Sequence, residues 1–385
     1  MDNVTHTLFA LTLARTPLGR AGRGTTAALV LASNAPDIDI VAAARGATSY
    51  MTWHRGPTHG SLGIAGLGVA SAGLVWIGRR VIDRRASGRE AAPRSAPDAS
   101  FGMLVSISMI GVLLHLLMDL ATSYGMRLLS PFDWHWFAVD WLPIVDVYLL
   151  MILVAGLVSA EVLKVSKAST ASRRSLAAIT LMLMAANYGV RAVAHHQALA
   201  QAPRLFGPLL PQPCDPGAAT PAIEYWPRGG VTTSESGTPC LIGIAAMPTF
   251  LSPFRWRMIV HLSNGYDLHE LDVLDARLQR PAEPGEAFWR RSVRYPNQWT
   301  APTFAAAAAR TARVFLGFAR FPAARSFVDP SGVATVRWAD MRFAAGILSF
   351  APGAPGANGP RGADRLTVLV RIGPDGRVLD EAFSR

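Results

Sequence analysis

Charged residues are scarce in this chain, at 16% of 385 positions, where a soluble domain carries about a quarter. Half of the residues are hydrophobic and mean hydropathy is +0.25, so the missing charge points to segments that face lipid. Phosphate-binding signatures are absent too. There is no GxxxxGK[ST] loop and no strand–GxGxxG–helix unit, which sets nucleotide binding aside. There is no G-x-S-x-G elbow, which sets aside a serine hydrolase of that type. Cysteine is limited to Cys214 and Cys240. Neither belongs to a CxxC pair, so a thiolate metal site is not expected. The two form one disulfide if that half of the chain lies outside the cytoplasm, or stand as two free buried thiols; the sequence leaves both open. The opening stretch MDNVTHTLFALTLARTP has no basic n-region and no A-x-A site, so a cleaved signal peptide is not expected.

What the chain has instead is four long apolar segments, Ser61–Gly78, Phe101–Thr122, Trp141–Ala160 and Leu176–His195. At a rise of about 1.5 Å per residue each reaches roughly 27–33 Å, enough to span a bilayer core. Two shorter segments, Thr5–Thr16 and Thr25–Ala35, are too short to span comfortably and read as a tight helical hairpin. The net charge of +11 suits nucleic acid or anionic lipid until its positions are mapped. Arg15, Arg20 and Arg23 follow the first segment. Arg79, Arg80, Arg84, Arg85, Arg89 and Arg94 follow Gly78, against Asp83, Glu90 and Asp98. Lys164, Lys167, Arg173 and Arg174 follow Ala160. By the positive-inside rule these three connections are cytoplasmic. The loop Ser123–Asp140 then faces outward, with Trp134, Trp136 and Trp141 as an interfacial belt. Six crossings place both termini outside. Much of the positive charge is therefore a topology signal, and no nucleic-acid partner is expected.

After His196 the composition changes. Gln201–Gly217 is Pro-rich, and from Ala222 the chain reads as globular. The expected division is a transmembrane metal-site domain over 1–200, a linker over 201–221 and an extracytoplasmic α+β domain over 222–385. In the last, Phe254–His261 alternates like a strand, with Phe254, Trp256, Met258 and Val260 on one face. Ser263-Asn264-Gly265 is a hairpin turn. Thr303–Arg320 reads as one Ala-rich helix, Val333–Phe343 and Arg365–Ile372 as strands, and Ala351–Ala363 as a mobile loop. Pro374-Asp375-Gly376 is a turn before a last short strand. The fold class expected is mainly α, a polytopic helical bundle of four long helices and a short N-terminal hairpin, followed by a small α+β soluble domain.

The residues that carry chemistry lie in the membrane half. His6 is in the first short helix, Asp37 and Asp39 end the second, and His54, Arg55 and His59 precede the Ser61 helix. His115 and Asp119 lie within an apolar helix, and Asp146 is near the start of the next. Each has an ordinary explanation alone: a hydrogen-bonded core histidine, a turn aspartate, an interfacial arginine. Together they do not. His115 and Asp119 share one helix face at i, i+4, and ionisable groups at membrane depth are expensive and usually functional. Asp37-x-Asp39 and His54-x4-His59 add hard oxygen and imidazole donors, a mixture that suits Zn²⁺, Mn²⁺ or Fe²⁺ better than Ca²⁺. The topology, set by Arg and Lys alone, gathers all of these at the outward side, where chance would scatter them.

MDNVTHT, NAPDID, WHRGPTHG, LLHLLMD and the SYG…SPF stretch together resemble the YdjM-type membrane-bound metal-dependent hydrolases, over roughly the first half of the chain. SPFRWRMIV with the following NGY resembles a C-terminal extension of some members. The resemblance implies that His6, Asp37, Asp39, His54, His59, His115 and Asp119 are metal-site residues, with Arg55 as their partner. Where the family often has Ser directly after the second His of the HRGxTH motif, this chain has Gly60, so Ser61 receives no catalytic role.

The expected function is thus a metal-dependent hydrolase of the inner (plasma) membrane, acting on a phosphoester or an amphiphilic, lipid-like substrate at the outer interface. Its cofactor would be a divalent ion, Zn²⁺ first, with Mn²⁺, Fe²⁺ or Mg²⁺ as alternatives. Arg55 would neutralise an anionic substrate, and Asp39 or Asp146 would orient or deprotonate water. The competing class is a non-enzymatic metal-binding membrane protein, either a transporter or a structural metalloprotein. A transporter calls for ligands along the full depth of the helices, whose inner halves here are apolar.

Overall fold

The computed structural model describes residues 1–86, 97–166, 170–202, 212–214, 239–276, 292–297, 299–343 and 367–383. The chain divides into two compact units, Met1–Ala42 with Trp53–Val193, and Ala43–Thr52 with Ala194–Arg385.

The first unit opens with two short helices, α1 (Asn3–Leu13) and α2 (Thr25–Ala32). Asp2 caps α1 by accepting from the Thr5 N–H, which satisfies one of the donors a helix start leaves open. A 3-10 helix over Ala35–Arg45 follows α2, bent 41° from it, so that the two make a broken span or a re-entrant loop. The short helix α3 (Ala47–Trp53) comes next in the chain, and its residues up to Thr52 belong to the second unit. The long helices are α4 (Ser61–Ala86), α5 (Phe101–Leu120), α6 (Val147–Val165) and α7 (Thr170–Ala200). All four are long and apolar enough to cross a membrane. Leu29, Leu104, Leu149 and Leu153 form the dry centre of this unit with Phe9 and Ile107. The outer faces stay apolar, with Leu74, Leu117, Val154 and Val162 exposed, as a lipid solvent requires. At Gly68 a Cβ would stand 2.6 Å from the Met109 side chain, so glycine is what lets α4 and α5 approach.

Arg23 pairs with both Asp83 and Asp98, and Arg79 donates to the Arg23 and Ala99 carbonyls. The acids of that basic connection therefore clamp the helix ends together. Arg89, Glu90, Arg94 and Lys167 lie outside the described residues. The third long segment begins later than its hydropathy suggests, at Val147 rather than Trp141. Pro143 disfavours helix in the residue before it, and the Asp146 carboxylate accepts the Leu149 N–H as the N-cap.

The second unit holds two four-stranded antiparallel sheets, ordered β1-β2-β3-β4 and β5-β6-β7-β8. Their strands are β1 (Leu241–Pro248), β2 (Arg255–Leu262), β3 (Gly265–Asp272), β4 (Ser292–Pro296), β5 (Pro322–Val328), β6 (Ala334–Asp340), β7 (Thr367–Ile372) and β8 (Val378–Phe383). Trp256, Met258 and Val260 of β2 are buried together and pack with Ala194 and Ala198 at the end of α7. Leu262 pairs with Gly265 across the Ser263-Asn264 turn. A Tyr266 hydroxyl donating to the Pro322 carbonyl at 3.1 Å ties the sheets together, beside Met247, Ile259, Leu268 and Met341. The Ala-rich stretch forms two helices rather than one, α8 (Ala301–Ala307) and α9 (Arg310–Phe318), with Ala309 extended between them. The Glu381 carboxylate on β8 accepts the Thr311 N–H at 2.7 Å, a tertiary bond that outweighs alanine's helix preference. Cys214 and Cys240 are joined by a disulfide. Most of the Pro-rich linker and all of the loop Ala351–Ala363 lie outside the described residues. The architecture is the helical bundle followed by an α+β unit that the residue pattern led us to expect.

Candidate metal centre

Three backbone elements aim donors at one point. The 3-10 helix over Ala35–Arg45 supplies Asp37, a single 3-10 turn over Pro57–His59 supplies His59, and the last turns of α5 supply His115 and Asp119. Their four ligand atoms all lie within 4.8 Å of one another. His59 Nε2 is 3.3 Å from His115 Nε2 and 3.4 Å from Asp119 Oδ2. His115 Nε2 is 3.4 Å from Asp119 Oδ2. Asp37 Oδ1 stands 3.5 Å from His59 Nε2 and 3.8 Å from His115 Nε2. Donors about 2.0–2.1 Å from a tetrahedral Zn²⁺ are roughly 3.3–3.4 Å apart, so the set has the dimensions of a coordination shell.

Hydrogen bonds behind the cluster decide which atoms face inward. His115 Nδ1 donates to the Ser33 carbonyl at 2.8 Å, which leaves its Nε2 as a lone pair. His59 Nδ1 has the Asp39 carboxylate at 3.4 Å and the Thr58 hydroxyl at 3.1 Å, which does the same for its Nε2. This is how metal-binding imidazoles are held. Two imidazole nitrogens and two carboxylate oxygens then converge in a buried space, an arrangement that can hold a cation. Asp37 Oδ2 and His6 Nδ1 are buried without a hydrogen-bond partner. The donor types, their spacing and these orphaned atoms fit a divalent metal ion.

The other sequence candidates separate into distinct places. His6 stacks on His115 with ring centroids 3.8 Å apart, and its Nε2 lies 3.4 Å from Asp119 Oδ1. The Met1 amino group also abuts that oxygen. Asp39 stands behind His59, accepting the Arg55 N–H at 2.7 Å and facing His54 Nδ1 at 3.2 Å. Burial keeps the His54 pKa below its ordinary value despite the pull of Asp39. Arg55 adopts φ 50°. It donates Nη1 to the Gly125 carbonyl at 2.9 Å, directs Nη2 to Asp119 Oδ2 at 3.2 Å and lies over the Tyr124 ring. Its guanidinium is thus turned to Asp119, where the sequence reading aimed it at a substrate. Asp146 is not gathered into the cluster: it meets Arg191 at 2.5 Å, both side chains fully buried, and caps α6.

A sheath of loop residues supports Arg55. The Arg127 N–H donates to the Arg55 carbonyl at 2.9 Å, and the Arg127 guanidinium lies 5.1 Å from both the Trp134 and Trp136 rings. Burial lowers the Arg127 pKa to about 10, so it stays cationic at neutral pH. Gly60 has a steric reason: a Cβ there would fall 2.1 Å from the Ser130 carbonyl oxygen. Sequence reasoning gave no role to the Ser33 carbonyl, to Thr58 or to Arg191. A backbone carbonyl leaves no trace in composition, whereas Arg191, a lone cation within an apolar segment, carried the same signal as Asp119.

Residues 1–198 match the family described as YdjM inner membrane protein. The chain belongs to the YdjM family. All four donors and the groups that orient them fall within the matched region, and so do the four spans but for the last residues of α7. A YdjM-family chain with these spans is a multi-pass inner membrane protein, and its Asp37, His59, His115 and Asp119 can hold a metal ion. No curated protein and no solved structure matches the chain.

Proposed function

We propose that this YdjM-family protein is a metal-dependent hydrolase that cleaves a phosphoester in an amphiphilic substrate, with its site and its C-terminal unit on the outer side of the membrane. The observation that carries the reading is the convergence of Asp37, His59, His115 and Asp119, whose ligand atoms lie within 4.8 Å of one another in a buried space. These four hold the ion, Zn²⁺ first by donor type and spacing, with Mn²⁺, Fe²⁺ or Mg²⁺ as alternatives. When bound, such an ion lowers the pKa of a coordinated water toward neutrality and polarises the bond under attack.

The chain's own residues do the rest. Asp39 fixes the tautomer and direction of His59. Arg55 steadies Asp119 and offsets its charge. The Asp37 side chain is 12% exposed and its Oδ2 lacks a partner, so this oxygen is the one left to orient a water. Asp146 takes no part in the chemistry. The outward orientation is supported by the Arg and Lys distribution and by the Cys214–Cys240 disulfide, a bond typical of oxidising compartments.

Protein purified in detergent with Zn²⁺ or Mn²⁺ should cleave a phosphoester, and His115→Ala should abolish the activity. Hydrolysis that survives both EDTA and His115→Ala contradicts the reading. One observation favours a second reading: four protein donors complete a tetrahedron, as in structural zinc sites. In that case chelation unfolds the bundle. In the hydrolase, chelation removes activity and leaves the helices folded.

A further inference from the structure

Two of the connections around the metal centre, over residues 34–42 and 53–60, are apolar where they meet the surroundings. Among residues 34–42, the exposed ones are Ile38, Ile40 and Val41; among residues 53–60, Trp53 alone is exposed. Exposure reaches 59% at Ile38, 63% at Ile40 and 67% at Val41. These alternate with the site carboxylates, so one side of the 3-10 helix carries Asp37 and Asp39 inward and the other presents aliphatic carbon outward. Trp53 meets Trp134 edge to face at 6.0 Å, and Phe132 and Leu129 extend the same loop outward at 78% and 45% exposure. Asp133 and His135 are exposed on that loop beside Phe132 and Trp134, and Arg45 ends the 3-10 helix, so the apolar patch is bordered by polar groups, as at a membrane–water interface.

Depth explains the composition. The Ser33 carbonyl, at the break between α2 and the 3-10 helix, accepts from His115. His115 lies five residues before the end of the α5 span, about 7.5 Å along its axis. The 3-10 helix therefore starts below the end of a membrane-spanning helix, continuous with the lipid-facing surface. Irregular backbone at that depth must be buried or line a cavity. Here its inner side is covered by the site, and its outer side at Ile38, Ile40 and Val41 is uncovered hydrocarbon.

We infer that the Ile38–Ile40–Val41 face, with Trp53 and Trp134, is inserted in the outer leaflet and admits a membrane lipid sideways to the His/Asp site. The part that names the substrate rests on the hydrolase reading; the insertion does not. A lipid phosphoester sliding in along this face keeps its acyl chains in hydrocarbon while its head group reaches Asp37.

Two measurements test this. In the first, Ile40→Cys and Phe132→Cys proteins carry a nitroxide in phosphatidylglycerol vesicles. Collisions with oxygen should exceed those with an aqueous nickel chelate at both positions. Freer access for the nickel chelate at Ile40→Cys overturns the insertion, whatever the chemistry. In the second, hydrolysis of vesicular phosphatidylglycerol is compared with that of soluble bis(p-nitrophenyl) phosphate. The triple variant Ile38→Ser/Ile40→Ser/Val41→Ser, with its metal content checked, should lower the lipid-to-soluble turnover ratio at least tenfold. An unchanged ratio overturns lateral entry and leaves the hydrolase reading standing. No hydrolysis of either substrate by the wild type contradicts the hydrolase reading, while the nitroxide result still decides insertion.

Discussion

Asp119 and Asp146 are both fully buried aspartates at the ends of apolar helices in one bundle, and their surroundings could hardly differ more. Asp146 meets a guanidinium from α7 and caps α6, so the chain itself supplies its counter-charge. Asp119 faces His59 and His115 and lies in a nest with Asp37, where Arg55 and the Met1 amino group approach its two oxygens. A buried acid whose charge the protein completes is a structural joint. A buried acid gathered with a second carboxylate and two imidazoles can serve as a metal ligand. The expense of burial is common to both, so burial alone does not identify a functional carboxylate.

The largest effect is expected at Asp119. Asp119→Ala should weaken metal binding at least a thousandfold, about 4 kcal/mol, with helical content retained; titration with Zn²⁺ and a competing chelator measures it. Asp146→Asn should do the reverse. It leaves Arg191 buried without a countercharge and should lower unfolding stability in detergent by roughly 3 kcal/mol, while metal content stays at the wild-type level. Replacing both partners, Asp146→Asn with Arg191→Met, should restore part of that loss. If Asp146→Asn instead depletes the metal, the two aspartates belong to one site.

Smaller effects sharpen the contrast within the cluster. Asp39→Asn keeps the shape but weakens the hold on His59, and should reduce metal affinity about 10–100-fold. Arg55→Lys loses the planar fork shared between Gly125 and Asp119 and should fall in the same range, measured by the same competition. The smallest effect lies in the second unit. His261 stacks on Tyr266, and burial lowers its pKa to about 4 from the ordinary 6.5. A base with a depressed folded pKa binds more protons when unfolded, so stability rises with pH. This contribution is whole above about pH 6.5 and is lost as pH falls toward 4; His261→Gln should flatten the melting-temperature profile over that window.

Much of the fold was legible because lipid imposes long apolar runs and Arg and Lys mark their ends. The helix starts were less so: Trp141 to Val145 are apolar enough to be read as span, yet Pro143 and the Asp146 cap postpone α6. In the second unit, β2 announced itself by alternation, whereas β5, with its Pro and two Ala, offers little β signal and takes its strand from pairing with β6. The site residues were visible by type, but not their division of labour. Asp37 and Asp39 are two positions apart and chemically identical. Only the 3-10 backbone sends one toward His115 and the other behind His59. Likewise the pairing of Asp146 with Arg191 joins residues 45 apart on different helices, which no local pattern encodes.

The proposed function requires Asp37, His59, His115 and Asp119 to share one cation. Elemental analysis of the purified wild type beside Asp37→Ala/His115→Ala, both checked for helical content, tests it most directly. A stoichiometric divalent ion in the wild type and its loss from the folded double variant is the predicted result. Equal metal in both proteins, or a folded wild type that binds none when offered Zn²⁺ or Mn²⁺, would contradict it.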